Sequence, residues 1–345
     1  MALNPQVRML HLMKDARPSM RMAAGEDFAA WQAKARARLM ALLGLPLERA
    51  EPNFRVEWTR EHPDCTEIRF LFESEPEVDV IGHLLLPKDA SEEKLPLVIC
   101  LQGHSKGVHI SLGRPVYEGD EATISGGDRD FARQIVSRGQ AALALEQRGF
   151  GERGGTEKGP ACYQPAVQAL LLGKTLIGQR CWDISRAIDV VGARFPQLDM
   201  SRVAVMGNSG GGTATIYAAA LDERIGAAMP SCAFCGYLAS IGAQYHCLCN
   251  YVPGIMKDFD MGDLAGLIAP RPLVVVNGRD DGIFPLDAAK EQAEIARRYY
   301  AAAGAPDKFE HVVGPEGHRF YAALGWPAFD RLTGWKQSMQ TNEKQ

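Results

Sequence analysis

A chain of 345 residues, 46% of them hydrophobic, is long enough to bury one large α/β core or a catalytic unit with an N-terminal extension. Charged residues make up 23% and sum to a formal −4, and the cationic clusters are no longer than Lys34-Ala35-Arg36-Ala37-Arg38. That is the pattern of solvated helix surface, and it argues against nucleic acid as a partner.

Residues 1–21 scatter Lys and Arg with no apolar run, and no segment is apolar for long enough to span a bilayer. The eight cysteines are therefore read as reduced thiols of a cytoplasmic protein, with no membrane partner. Between Asp27 and Leu43, the residues Phe28, Trp31, Ala35, Leu39 and Leu42 recur every three or four positions, and Gly44 and Pro46 follow. This spacing predicts an amphipathic helix. Residues 1–50 are expected to be a helical extension packed on a catalytic unit of residues 51–340, with 341–345 a flexible polar tail.

Three strand-like runs, 54–59, 67–73 and 78–86, lie close together and predict an antiparallel opening section. The pattern then changes. Short apolar runs at 97–101, 141–145, 203–206, 225–229 and 273–276 are separated by helical stretches such as Ile184, Ile188 and Val191. Strands buried on both faces and alternating with helices predict a mostly parallel, doubly covered α/β sheet. Two connections, 104–127 and 149–178, are too long for ordinary loops. Both follow strands, where the ligand site of such a sheet is built, so they are candidate pocket walls.

The run Gly207-Asn208-Ser209-Gly210-Gly211 sits between the strand at 203–206 and a small-residue helix predicted over 213–220. A G-x-S-x-G turn in this setting projects a seryl hydroxyl from the sheet at a helix N-terminus. A phosphate-binding loop would need Gly-Lys-Ser/Thr, which is absent, and a dinucleotide fingerprint would open the first βαβ unit. Ser209 is thus the candidate nucleophile, with the N–H of Gly210 aimed at a developing oxyanion.

A serine needs an imidazole to take its proton and a carboxylate to orient that imidazole, in chain order Ser, acid, His. His311 falls inside a predicted strand at 309–313 and reads as structural, whereas His318 lies in the loop after it and is the candidate base. The acid should follow the strand at 273–276, where both Asp280 and Asp281 are available. The turn after 97–101, Gln102-Gly103-His104, supplies a second oxyanion donor, the backbone N–H of His104.

These residues resemble the α/β-hydrolase superfamily, and most closely its dienelactone-hydrolase-related, acetyl xylan esterase-like branch. The resemblance runs from about Trp31 to His318 and includes Gln102-Gly103-His104, Gln147-Arg148-Gly149-Phe150-Gly151, Gly207 to Gly211, Ala269-Pro270-Arg271-Pro272, Gly278-Arg279-Asp280-Asp281 and Gly317-His318. It implies an α/β-hydrolase fold and Asp281 as the acid, three residues after Gly278 with Pro285 four further on. It implies a serine carboxylesterase cleaving small acyl esters, acetyl above all and sugars among the alcohols, through an acyl-enzyme without metal or organic cofactor. The sequence departs from the branch at Gln102, where His is usual, and at Glu146, where Asp is usual. Glu146 and Arg148 are read as structural.

Gln102, Asn208, Cys232, Tyr245 and Tyr251 are candidate substrate-binding residues, with a small-molecule ester the expected partner; a homo-oligomer is compatible with the sequence. Cys232-Ala233-Phe234-Cys235 and His246-Cys247-Leu248-Cys249 also invite a zinc reading. The second half is only C-x-C, however, and pocket lining by free thiols is the preferred expectation. A peptidase of related fold, a catalytically silent binding module and a zinc-dependent protein are the competing functions.

Overall fold

The computed structural model describes residues 3–88 and 94–335. The expected tail, 341–345, lies outside the described residues. Two helices open the chain, α1 (Gln6–Asp15) and α2 (Phe28–Leu43), followed by strands β1 (Arg55–Glu61), β2 (Cys65–Glu75), β3 (Val78–Pro87) and β4 (Leu95–Leu101). Then come α3 (Asp120–Ser125), α4 (Phe131–Val136), β5 (Ala141–Leu145), α5 (Tyr163–Leu171), α6 (Leu176–Arg194), β6 (Leu198–Asn208) and α7 (Gly210–Leu221). The chain continues with β7 (Ala227–Ser231), α8 (Ile255–Asp258), α9 (Met261–Ile268), β8 (Leu273–Gly278), α10 (Leu286–Ala302), β9 (Phe309–Gly314) and α11 (Ala322–Thr333).

The strands form one nine-stranded sheet in the order β1-β2-β3-β5-β4-β6-β7-β8-β9. β1, β2, β3 and β5 pair antiparallel in succession, and every pairing from β5 through β4 to β9 is parallel. Successive side chains on a strand point to opposite faces, so a strand covered on both sides must be apolar at every position. In β4, Leu97, Ile99 and Leu101 enter one core and Val98 and Cys100 the other. β8 divides likewise, Leu273 and Val275 against Val274 and Val276. The first core lies under α2, α6, α7 and α9; the second lies under α4 and α11.

α2 starts where the Asp27 carboxylate accepts the Ala30 N–H at 2.8 Å, and it stops at Gly44, whose φ of 72° few other residues adopt readily. Its buried stripe of Trp31, Ala35, Leu39 and Leu43 belongs to the first core. One strand begins later than its apolar run suggests. Ile225 is buried but closes a turn onto Asp222, so β7 starts at Ala227 and runs to Ser231. That shift matters because Ser231, not Met229, ends the strand beside the Ser209 turn. The long stretch after β4 is not bare loop either: it holds a 3-10 turn at Val108–Ile110 and α3. Among the described residues no helix is long and apolar enough to cross a membrane.

The strand order reverses around β4: the chain leaves β4 for β5 on one side, and from β6 onward builds outward on the other. Loops at such a reversal part and leave a crevice above the carboxyl ends of the strands. Here those loops begin at Gln102 and Ser209.

Candidate active site

β6 carries the chain straight to Asn208, and α7 begins at Gly210, leaving Ser209 as the single residue of the turn. Its backbone has φ 55° and ψ −120°, a conformation ordinarily reserved for glycine. Two bonds hold it there: the Ser209 N–H donates to Ser231 O at 2.8 Å, and Ser209 O accepts from the Thr213 N–H at 2.8 Å. The flanking glycines are required by close approach. A Cβ on Gly207 would stand 2.6 Å from Leu101 O, and one on Gly103 would stand 2.8 Å from Asn208 O.

On the other side of the crevice, Nδ1 of His318 lies 2.9 Å from Oδ2 of Asp281. The Asp281 side chain is fully buried, and its other oxygen accepts the N–H groups of Ile283 (2.8 Å) and Phe284 (3.2 Å). Burial pushes the Asp281 carboxyl up, but the His318 hydrogen bond and charge and the two amides outweigh it and hold it below its ordinary value. Asp280, by contrast, is exposed and pairs with Arg279. The two adjacent carboxylates thus separate by burial, one facing His318 and one facing water.

The loop bearing His318 is tied to the seryl turn through the end of β7. Arg319 O accepts from Ser231 Oγ at 3.4 Å and from Cys232 Sγ at 3.1 Å. Cys232 is buried, within 4.8 Å of Asp281 and His318, and its thiol is pushed up to about 12 by burial and the neighbouring carboxylate. Ser209 Oγ has no hydrogen-bond partner among the described residues, and general-base contacts of this kind commonly close only on a bound substrate.

His104 packs directly over the start of α7, where a Cβ on Gly210 would meet its ring at 2.6 Å. The backbone N–H groups of Gly210 and His104 have no acceptor among the described residues. The β4 loop is braced from below: Gln102 Nε2 donates to Glu146 at 2.6 Å, Glu146 also accepts the Val108 N–H at 3.0 Å, and Gln147 Nε2 donates to Gln102 O at 2.6 Å. Burial pushes the Glu146 carboxyl up to about 7.

Around the crevice expected above the strand ends, His104 therefore packs on Gly210, and Ser231 and Arg319 link the Ser209 turn to the group of Cys232, Asp281 and His318. The structure places Gln102 and Asn208, each 1% exposed, beneath that crevice rather than on its surface. Tyr245 is 95% exposed, and it and Tyr251 line a cavity of about 1040 Å³ shared with α1, so neither joins the group around Ser209. One neighbour was singled out in sequence only as a zinc ligand: His246, buried, lies edge-on to Phe284 at 5.5 Å, and Phe284 stacks on His318 at 5.9 Å. Burial, with His104 and His318 nearby, lowers the pKa of His246. Its position inside the cysteine-rich run was the available signal.

The sequence signature of the acetyl xylan esterase (AXE1) family matches residues 22–242, well over half the chain. The chain belongs to the acetyl xylan esterase family. As a member it is a carboxylic ester hydrolase. A 268-residue stretch is 28% identical to YtaP of Bacillus subtilis (strain 168), provisionally named a hydrolase, covering 75% of this chain and 86% of that protein. Among solved structures, a Bacteroides fragilis NCTC 9343 protein provisionally assigned as an acetyl xylan esterase is similar with a TM-score of 0.75 at 16% identity, covering 96% and 90% of the two chains. The glucuronoyl esterase from Solibacter usitatus gives a TM-score of 0.68 at 16% identity over 93% of this chain and 97% of that one. At these identities the likeness speaks for the α/β-hydrolase fold. The family match contains His104 and Ser209 but ends before Asp281 and His318.

Proposed function

We propose that this acetyl xylan esterase family member is a serine esterase acting through Ser209, His318 and Asp281 on short acyl esters, with acetylated sugars as the leading substrate class. The observation that carries the reading is the strained Ser209 backbone at the sheet's reversal point, across from a closed His318–Asp281 pair.

In this reading Asp281 keeps the proton of His318 on Nδ1, which leaves Nε2 free to accept. Ser209 Oγ attacks the ester carbonyl as its proton passes to Nε2. The tetrahedral oxyanion is met by the N–H groups of Gly210 and His104, which need not reorganise to receive it. Collapse expels the alcohol, protonated by His318, and leaves an acetyl-enzyme. Water, deprotonated by the same imidazole, attacks the acyl carbon, and release of the acid returns the proton to Ser209. Residues 51–340 are taken as the catalytic unit and residues 1–50 as an extension, and the buried stripe of α2 in the shared core supports the packing of the one on the other. A cytoplasmic location is supported by eight unpaired cysteines.

A fluorophosphonate should label the native chain at Ser209, and p-nitrophenyl acetate should be turned over; both should vanish in Ser209→Ala. Retained turnover in a folded Ser209→Ala protein would remove Ser209 from the nucleophile's role. Esters of graded acyl length, acetylated sugars among them, then fix the substrate class.

A further inference from the structure

The cysteines that sequence spacing grouped together part company in the fold. Cys232 and Cys235 turn toward the acid–base side, donating to Arg319 O and Pro285 O. Cys247 and Cys249 turn to the opposite wall, where they meet Cys162 from the loop after β5 and the imidazole of His104 from the loop after β4. One ligand atom of each of the four lies within 4.8 Å of the other three, and Nε2 of His104 is 3.1 Å from Cys249 Sγ. Ligands held ~2.0–2.3 Å from a tetrahedral zinc stand roughly 3.3–3.8 Å from one another, so small side-chain adjustments close this quartet on an ion.

The charge of the surroundings points the same way. Arg180 is 1% exposed and lies over the Phe150 ring at 4.5 Å. Its guanidinium donates to Arg148 O and, at 3.2 Å, to Cys162 Sγ, and Nη1 has no partner among the described residues. No carboxylate pairs with it among the described residues. A buried cation needs an anion, and neutral thiols do not supply one. A zinc ion bound by three thiolates and a neutral imidazole carries a net charge of −1, which Arg180 balances.

We propose that His104, Cys162, Cys247 and Cys249 form a structural zinc site, with Arg180 as its outer charge partner. Binding one Zn²⁺ releases three thiol protons to solvent and uses the Nε2 lone pair of His104. Four protein ligands leave no open position, so the ion holds structure and takes no part in ester chemistry. What it holds is the crevice: it fastens together the loops after β4, β5 and β7. It also fixes His104, whose Nδ1 edge a Cβ on Gly210 would meet at 2.7 Å. This departs from the metal-free chain expected from sequence, where the spacing of Cys232, Cys235, Cys247 and Cys249 concealed the true partners. Cys247 and Cys249 lie beyond the segment that carries the family signature.

The test is metal content. Full-length chain expressed with zinc in the medium and purified without chelator should carry about one zinc per chain, released by a mercurial that titrates thiols. Cobalt(II) exchanged into the site should give the thiolate-to-cobalt charge-transfer band and the strong visible bands of a tetrahedral centre. Cys162→Ser and Cys247→Ser should lower zinc content at least several-fold, whereas Cys65→Ser should retain it. Negligible zinc together with no tetrahedral cobalt spectrum in the unmodified chain overturns the proposal. So does an intact mass two hydrogens light, with peptide mapping to a disulfide among the three cysteines. If the serine variants do not fold, the cobalt spectrum of the unmodified chain decides alone. None of these readouts uses substrate, so their failure leaves the esterase reading standing.

Discussion

Asp281→Asn changes one charge and almost no volume, and the structure says how the new side chain must sit. The native carboxylate uses one oxygen for the N–H groups of Ile283 and Phe284 and the other for Nδ1 of His318. In the asparagine variant the carbonyl oxygen keeps the two amides, because an NH₂ facing them would leave three donors opposed in a buried site. The NH₂ then faces Nδ1, and Nδ1 must accept rather than donate. The imidazole proton moves to Nε2, the nitrogen that has to take the proton of Ser209. A misplaced tautomer of this kind costs about 10⁴ in kcat, equivalent to roughly 5.4 kcal/mol of transition-state stabilisation. Asp280→Asn breaks only an exposed pair with Arg279, so kcat should stay within about twofold. Steady-state hydrolysis of p-nitrophenyl acetate measures both, with thermal melts to confirm folding. An Asp281→Asn enzyme that keeps a substantial fraction of kcat while Asp280→Asn loses most of it would refute the tautomer argument and move the acid to Asp280.

Acid stability should report His311. Burial, then the charges of Arg297 and Lys290, push its pKa from 6.5 down to about 4. The folded state keeps it neutral while the unfolded state protonates first, so its contribution is complete above pH 6.5 and fades as pH falls toward 4. The loss is about 3 kcal/mol at most; His311→Gln, which can still donate to Asn277, should flatten urea midpoints across that window, and an unchanged slope counts against the assignment. Asp183 is the buried hub for Arg148 (2.7 and 2.8 Å), Arg153 (2.8 Å) and Ser74 (2.7 Å). Asp183→Asn should therefore cost about 3–5 kcal/mol in denaturant unfolding, because it strands buried guanidinium charge; a loss well under 1 kcal/mol would show that solvent replaces the carboxylate.

The seryl turn was legible because its constraints are local: an apolar strand, a glycine wherever backbones nearly touch, and a helix of small residues. His318 was legible from order along the chain and from its place after a strand. Asp281 was not separable from Asp280 by local pattern, since the difference is burial, which only the packed turn decides; the family resemblance supplied the choice. The cluster of His104 with Cys162, Cys247 and Cys249 was legible only in part. Cys247 and Cys249 stand out in the sequence, but Cys162 and His104 reach them through the strand order, which sets the loops after β4, β5 and β7 above the carboxyl ends of the central strands. Tyr245 was not placed by its sequence pattern for a related reason: its side chain turns to solvent beside a cavity shared with α1, and the pattern of residues 1–50 predicted helix there without saying where that helix would pack.

The backbone of Ser209 also sets activity and durability against each other. Holding a non-glycine residue at φ 55° and ψ −120° costs of order 1–3 kcal/mol, while glycine there would give back only about 0.5–1 kcal/mol through its looser unfolded chain. Ser209→Gly should accordingly melt higher than the native protein while hydrolysing nothing. Selection for heat resistance alone would tend to erase this residue, so a higher melting temperature in Ser209→Gly is the cost to the fold that the proposed chemistry would have to justify.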